Sequence, residues 1–259
     1  MLKDKIALVT GSTSGIGLAV AESLAAAGCK VMLNGLGTPE QIDAARAQVA
    51  SHGTEVDYNS ADLSRADQVA AMIAATHKRF GRLDILVNNA GIQHTARVES
   101  FPAARWDAIM AINLSAVFHA IRCALPEMQA RGHGRIINIA SVHGLVASAE
   151  KSAYIAAKHA VIGLTKVVAL ENAEVDITCN AVCPGWVLTP LVQRQIDDRA
   201  AREGLSVKEA EHAMLAEKQP SLRFTRPEDI GEAVRFLCGP GSGNMTGTQI
   251  VLDGGWTAR

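Results

Sequence analysis

The 259-residue sequence predicts a single α/β domain, a doubly wound parallel sheet of about seven strands with helices on both faces. Three observations predict it. Short apolar runs alternate with longer helical stretches along nearly the whole chain. The composition is 48% hydrophobic but only 4% aromatic, which makes a core of Ala, Val, Leu and Ile suited to helices packed on a parallel sheet. No low-complexity linker divides the chain, so residues 1–259 are expected to form one unit.

The elements follow in order. Residues 6–10 read as a buried strand and residues 15–27 as a helix. Residues 30–34 make a second strand. Pro39 opens the next helix, to Ser51, because its fixed φ and missing N–H suit a first helical turn. Residues 55–59 are the third strand. Ser64 is expected to cap the helix that runs to Lys78. Strands at 84–88 and 135–139 flank a helical region at 103–131, which Pro126 is expected to bend. A helix at 152–172 and strands at 176–182 and 249–252 complete the pattern. Residues 189–226 break it. They are polar and helical, and read as a lid leaving the sheet next to the site.

A formal net charge of −1 gives no electrostatic footprint for nucleic acid or an anionic membrane. The five cysteines (Cys29, Cys123, Cys179, Cys183 and Cys238) show neither a C-x-x-C pair nor zinc spacing, so reduced thiols, no metal and a cytoplasmic location are expected. No signal peptide is read after Met1, and no stretch is read as long enough to span a bilayer.

Chemistry concentrates around Tyr154 and Lys158. On a helix, residues four apart share a face, so the ammonium is expected beside the phenol. A nearby positive charge pulls a phenol down from its ordinary pKa of about 10 and makes it a usable proton donor or acceptor. The Ser141 hydroxyl, from another element, can hold a carbonyl or alcohol oxygen against it.

The first strand and first helix are joined by a turn with Gly11, Gly15 and Gly17, which also carries Thr13 and Ile16. Glycines there permit a tight turn and close approach of a pyrophosphate to helix N-terminal amides. The dinucleotide's adenosine half is expected against Leu36, Asp62 and Leu63. No Arg or Lys lies in residues 34–37 to neutralise a 2′-phosphate, which favours NAD, although the acidic residue often found at that strand end is also missing.

The glycine turn, Asn88 to Gly91, Ser141, Tyr154 with Lys158, and Pro184 with Gly185 occur in this order along essentially the whole chain. Together they resemble the short-chain dehydrogenase/reductase family. The resemblance implies a Rossmann-like fold and hydride transfer to or from a nicotinamide. It implies Tyr154 as general acid/base and Lys158 as the residue that lowers its pKa and binds the nicotinamide ribose. Ser141 would orient the substrate oxygen, and Asn113 would support a water linked to the lysine. Asn89 and Gly91 would line the nicotinamide, and Pro184, Gly185, Val187 and Thr189 would hold its carboxamide. A homotetramer is also implied, with the helices near 103–131 and 152–172 at one interface.

Residues 89–94, 141–146, 183–187 and 253–259 are similar to members of that family acting on a short 3-hydroxy acid. Such a substrate carries a carboxylate. The chain offers Gln93, His143, Lys151 and Gln195 as donors for it, with Trp186 and Trp256 as apolar walls. The expected partner is thus a small hydroxy or keto acid. A 3-oxoacyl thioester reductase or a polyol dehydrogenase is the nearest alternative. A non-catalytic nucleotide sensor is remote, because Asn113, Ser141, Tyr154 and Lys158 are all present.

Overall fold

The computed structural model describes residues 2–258, and of Leu191 the backbone alone. Seven strands form one parallel sheet: β1 (Ile6–Val9), β2 (Lys30–Asn34), β3 (Val56–Asn59), β4 (Ile85–Asn88), β5 (His133–Ile139), β6 (Asp176–Pro184) and β7 (Gln249–Leu252). Their order across the sheet is β3-β2-β1-β4-β5-β6-β7. β1 therefore pairs with β2 on one side and β4 on the other, and the chain direction across the sheet reverses between them. That reversal opens a crevice at the carboxyl ends of these strands.

Alternation along the strands divides the core in two. Ala7 and Val9 pack with α1 (Gly15–Ala26), α2 (Pro39–Ala50) and α9 (Pro227–Cys238) on one face. Leu8 points the other way, toward α3 (Ala66–Phe80), α5 (Ala116–Arg131) and α6 (Ser152–Glu171). Both faces are covered, which is why β1, at the centre of the sheet, is apolar at every position.

Four local expectations need correction. Ser64 does not cap α3. Its N–H and hydroxyl both bond the Asp62 carboxylate, in a turn before the helix starts. Pro126 does not interrupt the long helical region. The break comes earlier, as a π turn at Ala111–Ser115 between α4 (Ala103–Met110) and α5. Proline forfeits only its own N–H bond, and burial of Ala120, Ile121, Ala124 and Met128 on either side holds α5 together. Helix α9 was not anticipated; its inward face fills the core beside α1. Finally, 103–131 and 152–171 are long and apolar enough to cross a bilayer by length and composition. Their apolarity has another use here, since both pack against the sheet and supply half of one core layer.

Residues 189–226 do leave the sheet. They form α7 (Pro190–Glu203) and α8 (Val207–Lys218), capped by Thr189 and by Ser206. The pair has a small core of its own, built from Val192, Ile196, Ala200, Ala210 and Met214, with Trp186 and Phe224 against it.

Candidate active site

A cleft of about 460 Å³ lies over the carboxyl ends of the strands. At one end it is made of backbone. Gly11 has φ +61°, and a Cβ there would lie 2.9 Å from the Ala90 Cα. A Cβ on Gly17 would lie 2.2 Å from the Gly11 carbonyl oxygen, so helix α1 approaches its own entry turn more closely than any side chain allows. The Asn89 amide donates to the Thr10 and Gly11 carbonyls at 2.9 and 3.0 Å and fixes the turn. No side chain caps α1, which leaves its first N–H groups facing the cleft. A dinucleotide pyrophosphate fits these glycines and open amides.

The end of β2 is held as tightly. The Thr13 hydroxyl donates to the Leu36 carbonyl at 2.7 Å, and the Asn34 amide donates to the Asn59 and Ala61 carbonyls at 3.0 Å. The Leu36 side chain is left 87% exposed, an apolar surface on the cleft wall. Asp62 and Leu63 line the wall opposite. The Asp62 carboxyl is held below the usual range by the Ser64 hydrogen bonds.

The other end is made of side chains. Ser141 lies two residues past the end of β5, and its buried hydroxyl accepts from the His143 N–H at 3.1 Å. Tyr154 and Lys158 share a face of α6, with the ammonium 5.6 Å from the phenol ring centroid. The ammonium donates to the Ile139 carbonyl at 2.7 Å. Burial lowers its pKa to about 8. Burial also raises the Tyr154 phenol, while the Ser141 hydroxyl pulls it back down. The expected lowering by Lys158 is thus not what this structure gives, because desolvation dominates and the ammonium reaches for a strand carbonyl.

Lys151 sits at the entry to α6, its ammonium 5.2 Å from the Trp186 ring. Burial lowers its pKa, and Lys218 adds to that. His143 is buried and pushed down to about 4, first by desolvation and then by Lys151 and Lys218, so the ring is neutral near pH 7. Its Nε2 lies 3.0 Å from the Ser148 hydroxyl. The His143 ring meets Trp256 edge-on at 5.3 Å, and Trp256 lies 5.9 Å from Trp186. Gln93, from the loop after β4, and Gln195, from α7, complete the wall.

Every residue expected to bind substrate lines this one cleft, as do Thr13, Ile16, Asn89, Gly91, Pro184, Gly185, Val187 and Thr189. Gly15 and Asn113 do not line it. Gly15 starts α1 at φ +57°, and a Cβ there would lie 3.5 Å from the Thr189 methyl. Asn113 is fully buried in the π turn, accepting from the Ile92 N–H at 2.8 Å and donating to the Ile92 carbonyl at 2.9 Å. It pins the loop that carries Gln93. Three residues near the site escaped the sequence reading: Ser148 behind His143, and Lys218 and Gln219 at the end of α8. No motif marks Ser148, and the contacts that bring Lys218 and Gln219 to the site, with Trp256 and Trp186, are distant in the chain.

The family described as short chain dehydrogenase matches residues 5–200. D-beta-hydroxybutyrate dehydrogenase of Cupriavidus necator is 52% identical, covering 100% of both chains. The protein of that name from Rhizobium meliloti is 49% identical over 98% of this chain and 99% of its own. A crystal structure of actinorhodin polyketide ketoreductase with NADPH superposes with a TM-score of 0.93 at 34% identity, covering 100% of this chain and 99% of that one. A crevice with a glycine cradle at one end and a serine, tyrosine and lysine at the other is what these relatives would require, and this chain belongs to the short chain dehydrogenase family.

Proposed function

We propose that this enzyme oxidises (R)-3-hydroxybutyrate reversibly to acetoacetate with NAD. One observation carries the substrate class. The Lys151 ammonium lies in the cleft against Trp186, beside neutral His143, and no carboxylate among the described residues pairs with it. A half-buried cation without a partner is a site for an anion small enough to reach it. Full-length relatives at 52% and 49% identity that bear the hydroxybutyrate dehydrogenase name support the same reading.

Lys151, His143, Gln93 and Gln195 hold the carboxylate, and Trp186 and Trp256 bound the chain length. This fixes C3 before Ser141 and Tyr154. A bound nicotinamide would supply the acceptor for the hydride leaving C3. The hydroxyl proton goes to the Tyr154 oxygen while the Ser141 hydroxyl holds the substrate oxygen. In the reverse direction the neutral phenol returns that proton to the ketone oxygen. Because burial raises the phenol pKa, oxidation should accelerate as pH rises and reduction should be favoured at lower pH. Asn113 acts through the loop that it pins.

The NAD preference rests on the β2 end. No cation occupies residues 35–37 to neutralise a 2′-phosphate. Exposed Phe118, Val167 and Leu170 on α5 and α6 support a homotetramer assembled through those helices, which light scattering checks. All five cysteines are free, in keeping with a reducing cytoplasm.

The test is dinucleotide reduction with both 3-hydroxybutyrate enantiomers, a 3-hydroxyacyl thioester and a polyol, each with NAD and NADP. The proposal expects the (R)-acid with NAD to give the highest kcat/KM. Preference for a thioester, a polyol or NADP would overturn it.

A further inference from the structure

We propose that Lys218, the last residue of lid helix α8, is a second cation that makes the site selective for anionic substrates. This rests on the carboxylate reading above. The Lys218 ammonium lies 5.8 Å from the Trp256 ring, and Lys151 lies 5.2 Å from Trp186. The two indoles are 5.9 Å apart, and His143 stands 5.3 Å from Trp256. Each indole of the pair thus has an ammonium beside it, one from the entry to α6 and one from the lid.

The placement is built. The next residue, Gln219, is fully buried; its Oε1 accepts from the Trp186 N–H at 2.9 Å and its Nε2 donates to the Arg223 carbonyl. A Cβ on Gly185 or Gly254 would lie within 2.8 Å of Gln219. The end of α8 is therefore locked to the loop that carries Gly185 and Trp186, and Lys218 has a fixed station beside the pocket. Of the acidic neighbours in sequence, exposed Glu150 precedes Lys151, and the other two are engaged elsewhere. Glu217 pairs with Arg199, and the Asp253 carboxylate accepts from Gly255, Thr257 N–H and the Thr257 hydroxyl. No carboxylate among the described residues forms an ion pair with Lys218 or Lys151, and the field of Lys218 is felt at both Lys151 and His143. Two like charges held near one pocket, with no counterion among the described residues, favour an anion in that pocket. Lys218 does not line the cleft and contributes through its field, whereas Lys151 lines it and makes the direct contact.

The readout is the ratio of kcat/KM for (R)-3-hydroxybutyrate to that for its uncharged amide, measured with NAD. Lys218→Gln should lower this ratio about threefold to tenfold, with a smaller effect at high salt. Lys218→Arg should restore it. Lys208→Gln, which removes an exposed charge at the start of the same helix, serves as the control and should leave the ratio alone. An unchanged ratio in Lys218→Gln, or an equal fall in Lys208→Gln, overturns the inference while the hydroxybutyrate reading stands. A wild-type enzyme with no preference for the acid over the amide overturns both.

Discussion

The dinucleotide end of the cleft is built from backbone, and the substrate end from long side chains. At the first, Gly11, Gly17 and the uncapped start of α1 leave no space for substituents, and hydrogen bonds from Thr13, Asn34 and Asn89 fix the strand ends. At the second, Lys151, His143, Trp186, Trp256 and Gln195 come from five separate segments and meet only because the sheet and the lid bring them together. A backbone cradle recognises what all dinucleotides share. A side-chain wall can be altered residue by residue without disturbing it, and under the proposed function specificity for the second substrate is carried there.

If the two ends are separable, substitutions should sort by which Michaelis constant they move. The largest effect is expected from Tyr154→Phe, which removes the proton acceptor from the chemistry. It should lower kcat by roughly 10³-fold or more while dinucleotide affinity, measured by fluorescence titration, stays within about twofold. Near-wild-type turnover would remove Tyr154 from the mechanism. Next, Lys151→Ala should raise the hydroxybutyrate KM about 10- to 100-fold, in line with the loss of a hydrogen bond to a charged group. An equal rise in the NAD KM would erase the distinction between the ends. Gly17→Ala places a methyl 2.2 Å from the Gly11 oxygen and should weaken NAD binding by about tenfold, with a lower Tm, because α1 must move off the turn. A selective loss of hydroxybutyrate binding in this variant would again merge the two ends.

The smallest effect concerns stability. His143 is pushed from 6.5 to about 4 in the fold, so the unfolded chain takes up a proton first as pH falls. The neutral ring's contribution is fully present above pH 6.5 and is lost between 6.5 and 4, amounting to about 3 kcal/mol at most. Urea midpoints for wild type should fall across that window more steeply than for His143→Gln. Parallel curves would mean that this ring does not control the acid limb.

The same contrast explains what could be read from the sequence. The cradle is a local motif: Gly11, Gly15 and Gly17 lie within one turn, and strand alternation places that turn at the first β–α junction. Tyr154 and Lys158 are one helical turn apart, so their shared face was legible too. The direction of the Lys158 side chain was not, since its acceptor is the Ile139 carbonyl on another element. The π turn at Ala111–Ser115 was also hidden, because what it serves is the contact between Asn113 and Ile92, far away in the chain. Gln219 stayed silent for the same reason. Its partner Trp186 is 33 residues away, across helices α7 and α8. The cap assigned to Ser64 failed because the Asp62 carboxylate, two residues before it, competes successfully for its hydroxyl.

The most direct test of the central claim is a crystal structure of the enzyme with reduced dinucleotide and acetoacetate. The account predicts the carboxylate against Lys151 and His143, between Trp186 and Trp256, with the ketone oxygen on Ser141 and Tyr154. An acetoacetate whose carboxylate points away from Lys151, with the ketone still on Tyr154, would contradict it.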